Sequence, residues 1–542
     1  MKNLIKVTTV FSFAAMLSLM FSCKAKETKQ ERPNIVFIMS DDHAYQAISA
    51  YSDKLIETPN IDRIADEGML FTNASVTNSI CAPSRATILT GKHTHIHGKV
   101  DNVFPFDTTN VTFPQILHEN GYQTAMFGKL HFGNNPKGFD EFKILPGQGD
   151  YYNPRFITDK GDTTIMGYVT DIITDLTIDW FDNRREEDKP FMLFYLHKAP
   201  HREWLPAPRH YKEFTKRTFP EPETLFDDYA GRGTAAKEAE MNLLKHMTVS
   251  ADNKIYPQLA KDLGIEEMSE WGFRVFKSKY NRFTEEQKKE WDAVYGPINE
   301  EFSELYPNMN DSAYMRWKYQ RYMQDYLGCI AAVDENVGRV LDYLDENGLS
   351  ENTIVVYTSD QGFYLGEHGW FDKRFIYEES FKTPLLIKWP EKVQPGSVTD
   401  EMVQNLDFAQ TFLEAAGIEA PEDMQGESLM PLLAGQPEKW KRDAVYYHYY
   451  EYPGFHMVKC HYGIVTKDYK LAHFYYDIDE WELYDRKNDP MELNNVYNDP
   501  DYQDVVKELT EKLKETRKKY KDSKELDQYY IQKYKDRGLI KE

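Results

Sequence analysis

Four times along this chain a continuous apolar run ends abruptly in a knot of Asp, Lys or His. Asn34 to Met39 runs into Ser40-Asp41-Asp42-His43, and Gln123 to Phe127 into Gly128-Lys129-Leu130-His131. Phe191 to Leu196 leads into His197-Lys198-Ala199-Pro200-His201, and Thr353 to Tyr357 into Thr358-Ser359-Asp360-Gln361-Gly362. Pro384 to Trp389 is a further short apolar run. A run without polar alternation suits a strand buried on both faces, which needs helices on both sides. Thr58-Pro59 opens one such helix, with Ile61, Ile64 and Ala65 on its apolar side and Gly68 as its stop. The expectation is an α/β fold: a large, mostly parallel sheet flanked by helices. Ligands of such sheets bind beyond the carboxyl ends of strands. The four polar knots are therefore expected to meet in one site.

The pattern lapses between about Pro206 and Met315, where the chain is polar, Lys/Glu-rich and aromatic. This stretch, about 206–315, reads as a helical insertion. From about Arg442 the alternating segments Ala444 to Tyr450, Tyr462 to Val465 and Leu471 to Tyr476 suggest a small antiparallel sheet. A Lys/Glu-rich helix is expected from Gln503 to about Tyr520. The organisation read from the sequence is a signal peptide over 1–22, a linker over 23–31, a main domain over 32–440 and a C-terminal subdomain over 441–542.

The amino terminus carries the marks of export. Lys2 and Lys6 precede the apolar stretch Val7 to Phe21, which is too short for a typical membrane span and ends at Ser22-Cys23. A small residue followed by cysteine at this point resembles a bacterial lipoprotein cleavage site. Cys23 is then the lipid-bearing residue, and a periplasmic or cell-surface location follows. An ordinary signal peptide with an incidental cysteine is the alternative. No later apolar run is long enough to span a bilayer. The chain has 65 Lys and Arg against 88 Asp and Glu, a net charge of −23, which excludes a nucleic-acid partner needing a basic footprint. Its four cysteines are Cys23, Cys81, Cys329 and Cys460. Too few remain for a disulfide scaffold, and a Cys329–Cys460 bond stays open.

The segment Ser79-Ile-Cys81-Ala-Pro83-Ser84-Arg85-Ala-Thr-Ile-Leu-Thr90-Gly91 is the most specific in the chain. Pro83 suits the first turn of a helix, so Cys81 would sit at a helix N-terminus, where free N–H groups favour an anion. The segment resembles the signature of the formylglycine-dependent type I sulfatases, of the alkaline phosphatase-like superfamily: Cys-x-Pro-Ser-Arg followed by Thr-Gly. The resemblance runs from Pro33 to the segment Trp481 to Pro490. It implies that Cys81 is oxidised during export to formylglycine by a formylglycine-generating or anaerobic maturating enzyme. The hydrated aldehyde is then the nucleophile. One hydroxyl attacks sulfur, and the sulfated intermediate collapses by eliminating sulfate, so no water need attack the crowded sulfur. Arg85 would hold the nucleophile's oxygens, and Ser84 is expected to serve recognition by the maturing enzyme.

Asp41, Asp42 and Asp360 offer carboxylates and Gln361 an amide oxygen, a donor set suited to one Ca²⁺ rather than zinc, with Mg²⁺ as the other candidate. The modified Cys81 is expected to join these ligands. Paired Asp residues after a strand are often only turn residues. The second pair, Asp360-Gln361, at an equivalent strand end favours a metal. Many sulfatases have Asn where this chain has Gln361.

The same resemblance assigns Lys129 and Lys373 to the ester oxygens, His131 to the base beside position 81 and His201 to the acid that protonates the leaving alcohol. Histidine suits both roles because its ordinary pKa lies near neutrality. His93, His95 and His97 are read as a loop beside the site.

Finer similarity points to the bacterial N-acetylglucosamine-6-sulfatases. It is carried by Ser40 to Gln46, Leu145 to Asn153 and His197 to His201. The expected substrate is the 6-O-sulfate of N-acetylglucosamine in a sulfated glycan, read by Arg374 and His456. The alternatives are that Arg374 pairs with Glu378 and that His456 is a surface loop residue. Two other readings remain: a phosphatase, phosphodiesterase or phosphonate hydrolase of the same superfamily, which would use zinc, and a glycan-binding lipoprotein with a dead site.

Overall fold

In a computed structural model, which describes residues 32–265 and 270–539, ten strands form one sheet. Its middle is five parallel strands in the order Thr353–Ser359, Asn34–Ser40, Phe191–Leu196, Gln123–Lys129 and Glu141–Leu145. Four are the apolar runs of the sequence. Glu141–Leu145 is an addition to them. Leu385–Lys388 pairs antiparallel with Thr353–Ser359, and Arg155–Thr158 turns back antiparallel on Glu141–Leu145. The large, mostly parallel sheet is therefore present, with antiparallel strands towards its edges.

The apolar runs have no polar side because both faces are covered. Val36, Ile38, Leu193, Tyr195, Val355 and Tyr357 point into one core. Ile35, Phe37, Met192, Phe194, Ile354 and Val356 point into the other. The first core is roofed by the 36-residue helix Asp311–Glu346, packed against Val169–Asn183, Pro208–Phe214 and Pro59–Asp66. The second is closed by Cys81–Thr90, Phe113–Glu119 and Phe408–Ala415. Phe37 stands at its centre, with its ring centroid 5.3 Å from Phe194 and 5.9 Å from both Phe408 and Phe412. Truncating such a ring to alanine costs about 3–5 kcal/mol. Pro59 opens its helix as expected, but the Thr58 hydroxyl donates to Asp62 (3.1 Å) instead of capping the backbone.

Between 206 and 315 the described residues form helices and no strand. The C-terminal sheet is an antiparallel meander of Val445–Tyr449, His461–Val465, Tyr469–Phe474 and Glu480–Asp485. The fourth strand comes from the Trp481 segment and extends the expected sheet. On one face, Val506, Leu509 and Leu513 of the helix Gln503–Lys519 pack over Tyr446, Ile464, Leu471 and Leu483. The other face lays Tyr447, Tyr449 and Phe474 against Trp370, Phe375 and Tyr377 of the main sheet's loops. A further helix, Lys524–Asp536, follows.

Cys329 and Cys460 are both buried and free, so the disulfide left open by the sequence is not formed. Among the described residues no helix is long and apolar enough to cross a membrane. The signal peptide, Cys23 and the linker up to residue 31 lie outside the described residues.

Candidate active site

Strand register builds the site. Ser40 lies opposite Ser359 and Met39 opposite Leu196, so Asp41, Asp360 and His197 leave the sheet at the same edge. The backbone continues the pairing: Asp360 N donates to Ser40 O and Asp41 N to Ala199 O, both at 3.2 Å. Gly128 delivers Lys129 to this edge. Its φ is +114°, and a Cβ there would lie 1.7 Å from the Leu196 carbonyl oxygen, so only glycine fits.

Asp41, Asp42 and Asp360 are fully buried, each with a carboxylate oxygen within 4.8 Å of the others. Asp42 adopts φ +65°, uncommon for a side-chain-bearing residue, and its N–H donates to Asp360 Oδ1 at 3.1 Å. Burial lifts the Asp42 carboxyl to about 6 and the Asp360 carboxyl to about 7. Burial pushes Asp41 the same way, but Lys129, His201, Arg85 and Lys373 override it and hold Asp41 well below the usual carboxylate range. Three acceptor oxygens here, Asp41 Oδ1, Asp42 Oδ2 and Gln361 Oε1, receive no hydrogen bond. Buried polar atoms are rarely left so, and converging unsatisfied oxygens are what a hard divalent cation would bind. The residues therefore fit a metal ion. Gln361 Nε2 donates to Asp42 Oδ1, so the amide already reaches the cage.

Cys81 is the first residue of the helix Cys81–Thr90, as Pro83 predicts, and is fully buried. Asn102 Oδ1 accepts from the first turn of this helix, at Ala82 N (3.1 Å). Burial drives the Cys81 thiol up, more than Lys129 and Lys373 draw it down. At neutral pH it is therefore protonated and a poor nucleophile as it stands. Arg85, one turn along, sends both Nε and Nη2 to Asp360 Oδ2 at 2.9 Å and Nη1 to the Lys129 carbonyl. Ser84 has a structural role that the sequence reading missed. Its hydroxyl donates to Asp360 O and accepts from Asn405 Nδ2 (2.8 Å), tying the cysteine helix to the end of the Thr353–Ser359 strand.

Lys129 Nζ lies 3.9 Å from Cys81 Sγ and contacts Asp41 and Gln148. Lys373 Nζ is 2.5 Å from Asp42 Oδ1. A ring nitrogen of His201 lies within 4.8 Å of both Cys81 Sγ and Asp41, and its Nε2 is 3.7 Å from Asp42 Oδ2. His201 Nδ1 faces the Arg202 carbonyl at 2.5 Å, so Nδ1 carries the proton and Nε2 the lone pair. Burial, then Lys129, depresses both His131 and His201 well below the usual imidazole value. His131 sits beside the same lysine, with φ +66° and an unpartnered Nδ1.

The two residues expected to read the sugar converge on a third that the sequence reading overlooked. Asp372 binds Arg374 Nη1 through Oδ1 and faces His456 Nε2 through Oδ2 at 3.1 Å. Burial raises the Asp372 carboxyl, but Arg374, Lys373 and His456 outweigh it and keep it well below the usual range. His456 Nδ1 donates to Glu240 O at 2.6 Å. Both weaker readings are corrected here. Arg374 pairs with Asp372, while Glu378 is taken by Arg486 and Lys470, and His456 is only 8% exposed rather than on a surface loop. Asp372, Arg374 and His456 all have φ between +67° and +98°. Such backbone is costly and clusters at functional sites.

Gln148 follows the Glu141–Leu145 strand, and Asp372 sits in an unbroken Asp-Lys-Arg triplet. A buried run of three charges was the signal available for Asp372. His93, His95 and His97 do not form a loop. Thr94–His97 is a short buried helix, with His95 Nε2 2.8 Å from Tyr520 O and His97 Nε2 3.2 Å from the Thr87 hydroxyl.

The chain resembles known proteins over most of its length. Residues 33–418 match the family described as Sulfatase, and residues 366–519 match N-sulphoglucosamine sulphohydrolase, C-terminal. An N-acetylglucosamine-6-O-sulfatase of Bacteroides thetaiotaomicron is 49% identical over 515 residues, covering 94% of this chain and 90% of that protein. A solved protein in complex with its substrate, D-glucosamine-2-N,6-O-disulfate, superposes with a TM-score of 0.86 at 49% identity, over 91% of this chain and 99% of that one. A phosphonate monoester hydrolase of Silicibacter pomeroyi shares the fold alone, with a TM-score of 0.64 at 20% identity over 90% and 96% of the two chains. Fold by itself therefore does not choose the ester.

Proposed function

The chain belongs to the sulfatase family and is a sulfuric ester hydrolase, and within that activity we propose that it removes the 6-O-sulfate of N-acetylglucosamine during glycan degradation. The observation that carries the substrate is the buried Asp372–Arg374–His456 group. It joins the sulfate end through Lys373, the residue between its first two members, and it offers a guanidinium, an imidazole and a carboxylate to ring hydroxyls. The 49% identical relative named for this sugar supports the same reading.

Cys81 is the residue to be converted to formylglycine, which supplies a hydrated aldehyde in place of a thiol that burial keeps protonated. Asp41, Asp42, Asp360 and Gln361 would hold one Ca²⁺, with Mg²⁺ as the other candidate. When bound, the ion supplies Lewis-acid polarisation of a sulfate oxygen. The chain's own groups do the rest. Arg85, locked by Asp360, and Lys129, 3.9 Å from Sγ, set positive charge beside the reacting atom. Lys373, paired with Asp42, would meet the sulfate oxygens from that side. His131 is the base next to position 81. His201 presents Nε2 to the leaving oxygen, and the anionic ester beside it favours the imidazolium that burial opposes.

The maturing enzyme must meet this segment before folding, since Cys81, Pro83 and Ser84 are fully buried and Arg85 nearly so. Export by the Lys2–Phe21 signal, with lipid on Cys23, completes the proposal. The test is sulfate release from a panel of monosulfated sugars. N-acetylglucosamine-6-sulfate should be preferred. Preference for galactose-6-sulfate, or for a 2-O- or 4-O-sulfated sugar, would refute the substrate and leave the sulfatase activity standing.

A further inference from the structure

His201 is aimed by the residue that follows it. Its Nδ1–H donates to the Arg202 carbonyl at 2.5 Å, and its own carbonyl accepts from Tyr151 OH at 2.7 Å. The direction of Nε2 thus depends on where the 201–202 backbone is held. Arg202 holds it from the far side. Its Nε and Nη2 form a two-pronged pair with Asp252 Oδ1 and Oδ2, at 2.7 and 2.6 Å. Asp252 is in turn fixed by Thr248, whose N–H and hydroxyl donate to Oδ2 at 2.7 and 2.8 Å. The guanidinium plane lies 4.7 Å from the Trp271 ring, 5.0 Å from Phe371 and 5.9 Å from Phe455. Arg202 is 6% exposed and Asp252 fully buried.

A fork of this kind is worth more as a geometric constraint than as net stability. Burying two charges costs desolvation that the pair only roughly offsets, whereas a bidentate Arg–carboxylate contact fixes position and angle together. Asp252, Thr248 and Trp271 all come from the helical insertion, which contributes no ligand to the carboxylate cage. We propose that Arg202 and Asp252 are positioning residues for His201. The insertion would set the tautomer and direction of the leaving-group acid through this pair. The proposal rests on the acid role given to His201 above.

The test compares the sulfated sugar, a poor leaving group, with an activated aryl sulfate in the holoenzyme. Asp252→Asn should lower kcat on the sugar about tenfold to a hundredfold. The aryl sulfate should stay within about threefold and KM within about twofold. In a His201→Ala background, Asp252→Asn should add no further loss on the sugar, because the group it aims is gone. Arg202→Lys, which keeps the charge and loses the fork, should repeat the pattern and serves if Asp252→Asn does not fold. Equal losses on both substrates, or full additivity with His201→Ala, would overturn the proposal. A His201→Ala enzyme that loses both substrates equally would overturn the acid assignment itself, and this proposal with it.

Discussion

Lys373 Nζ lies 2.5 Å from Asp42 Oδ1, and Lys129 meets Asp41 in the same way. Two ammonium groups thus lean on a cage in which Asp41 Oδ1, Asp42 Oδ2 and Gln361 Oε1 accept no hydrogen bond. Asp42 and Asp360 are raised to about 6 and about 7, so their contribution to stability is full below the unfolded carboxylate pKa near 4. It is lost as pH rises through about 6 and then 7. Asp41 is held low, and its contribution fails only in acid. The cage alone thus favours the metal-free protein at pH 5.5 over pH 8, while buried histidines such as His131 and His201, held well below the usual imidazole value, act in the opposite sense. Added Ca²⁺ should raise the melting temperature more at pH 8, where the cage is ionised. An equal Ca²⁺ shift at both pH values would contradict this, and tight binding of two zinc ions with no Ca²⁺ effect would favour the phosphatase-like reading.

Cys81→Ala should abolish sulfate release while leaving the melting temperature within about 2 °C. The side chain lost is small, and Arg85, Asp360 and Lys129 keep their mutual contacts. Peptide mass spectrometry of active enzyme should show formylglycine at position 81. Full activity with an intact thiol there would sink the mechanism.

The strand ends were legible because each apolar run is buried on both faces and stops where its polar ligands begin. Asp41, Asp360, Lys129 and His201 could thus be placed from pattern alone. Glu141–Leu145 escaped because its Glu141 and Lys143 are only half-buried and interrupt the apolar run. Asp372 escaped for a different reason. It lies on a two-residue strand with left-handed backbone, where no periodicity exists to read. The Arg202–Asp252 fork joins residues 50 positions apart across the insertion, and only the folded chain brings them together. The three clustered histidines read as a loop in the sequence, but Thr94–His97 is a short buried helix in which His95 faces Tyr520 and His97 turns to Thr87.

Gly128→Ala should be among the most damaging single-methyl changes in the chain. The new Cβ would meet the Leu196 carbonyl at 1.7 Å in a backbone with φ +114°, so neither rotation nor a side-chain shift relieves it. A loss of about 3 kcal/mol or more is expected from strain at such a position. Denaturant unfolding measures it. The next residue is Lys129, so residual folded protein should also lose activity out of proportion to its population. A variant within about 1 kcal/mol of the parent would mean that the two strands can separate here without cost.

Asp372 is the residue on which sugar reading should turn. It is ionised, and it aligns Arg374 and His456 from one carboxylate. Among the described residues neither donor has another anionic partner in contact: His456 Nδ1 is spent on a carbonyl, and Arg374 Nε has no hydrogen bond. Asp372→Asn keeps the shape but removes the charge that orders both. Hydrogen bonds to charged groups are worth about 1.5–3 kcal/mol. kcat/KM on N-acetylglucosamine-6-sulfate should therefore fall about tenfold to a hundredfold, with the aryl sulfate nearly unaffected because it offers no ring hydroxyls. Arg374→Ala and His456→Ala should each show the same selectivity. Their combination with Asp372→Asn should cost less than the product of the separate losses, since the three act as one group. If all three variants lose aryl sulfate activity in proportion, the group supports the fold around Lys373 instead, and the sugar must be read elsewhere.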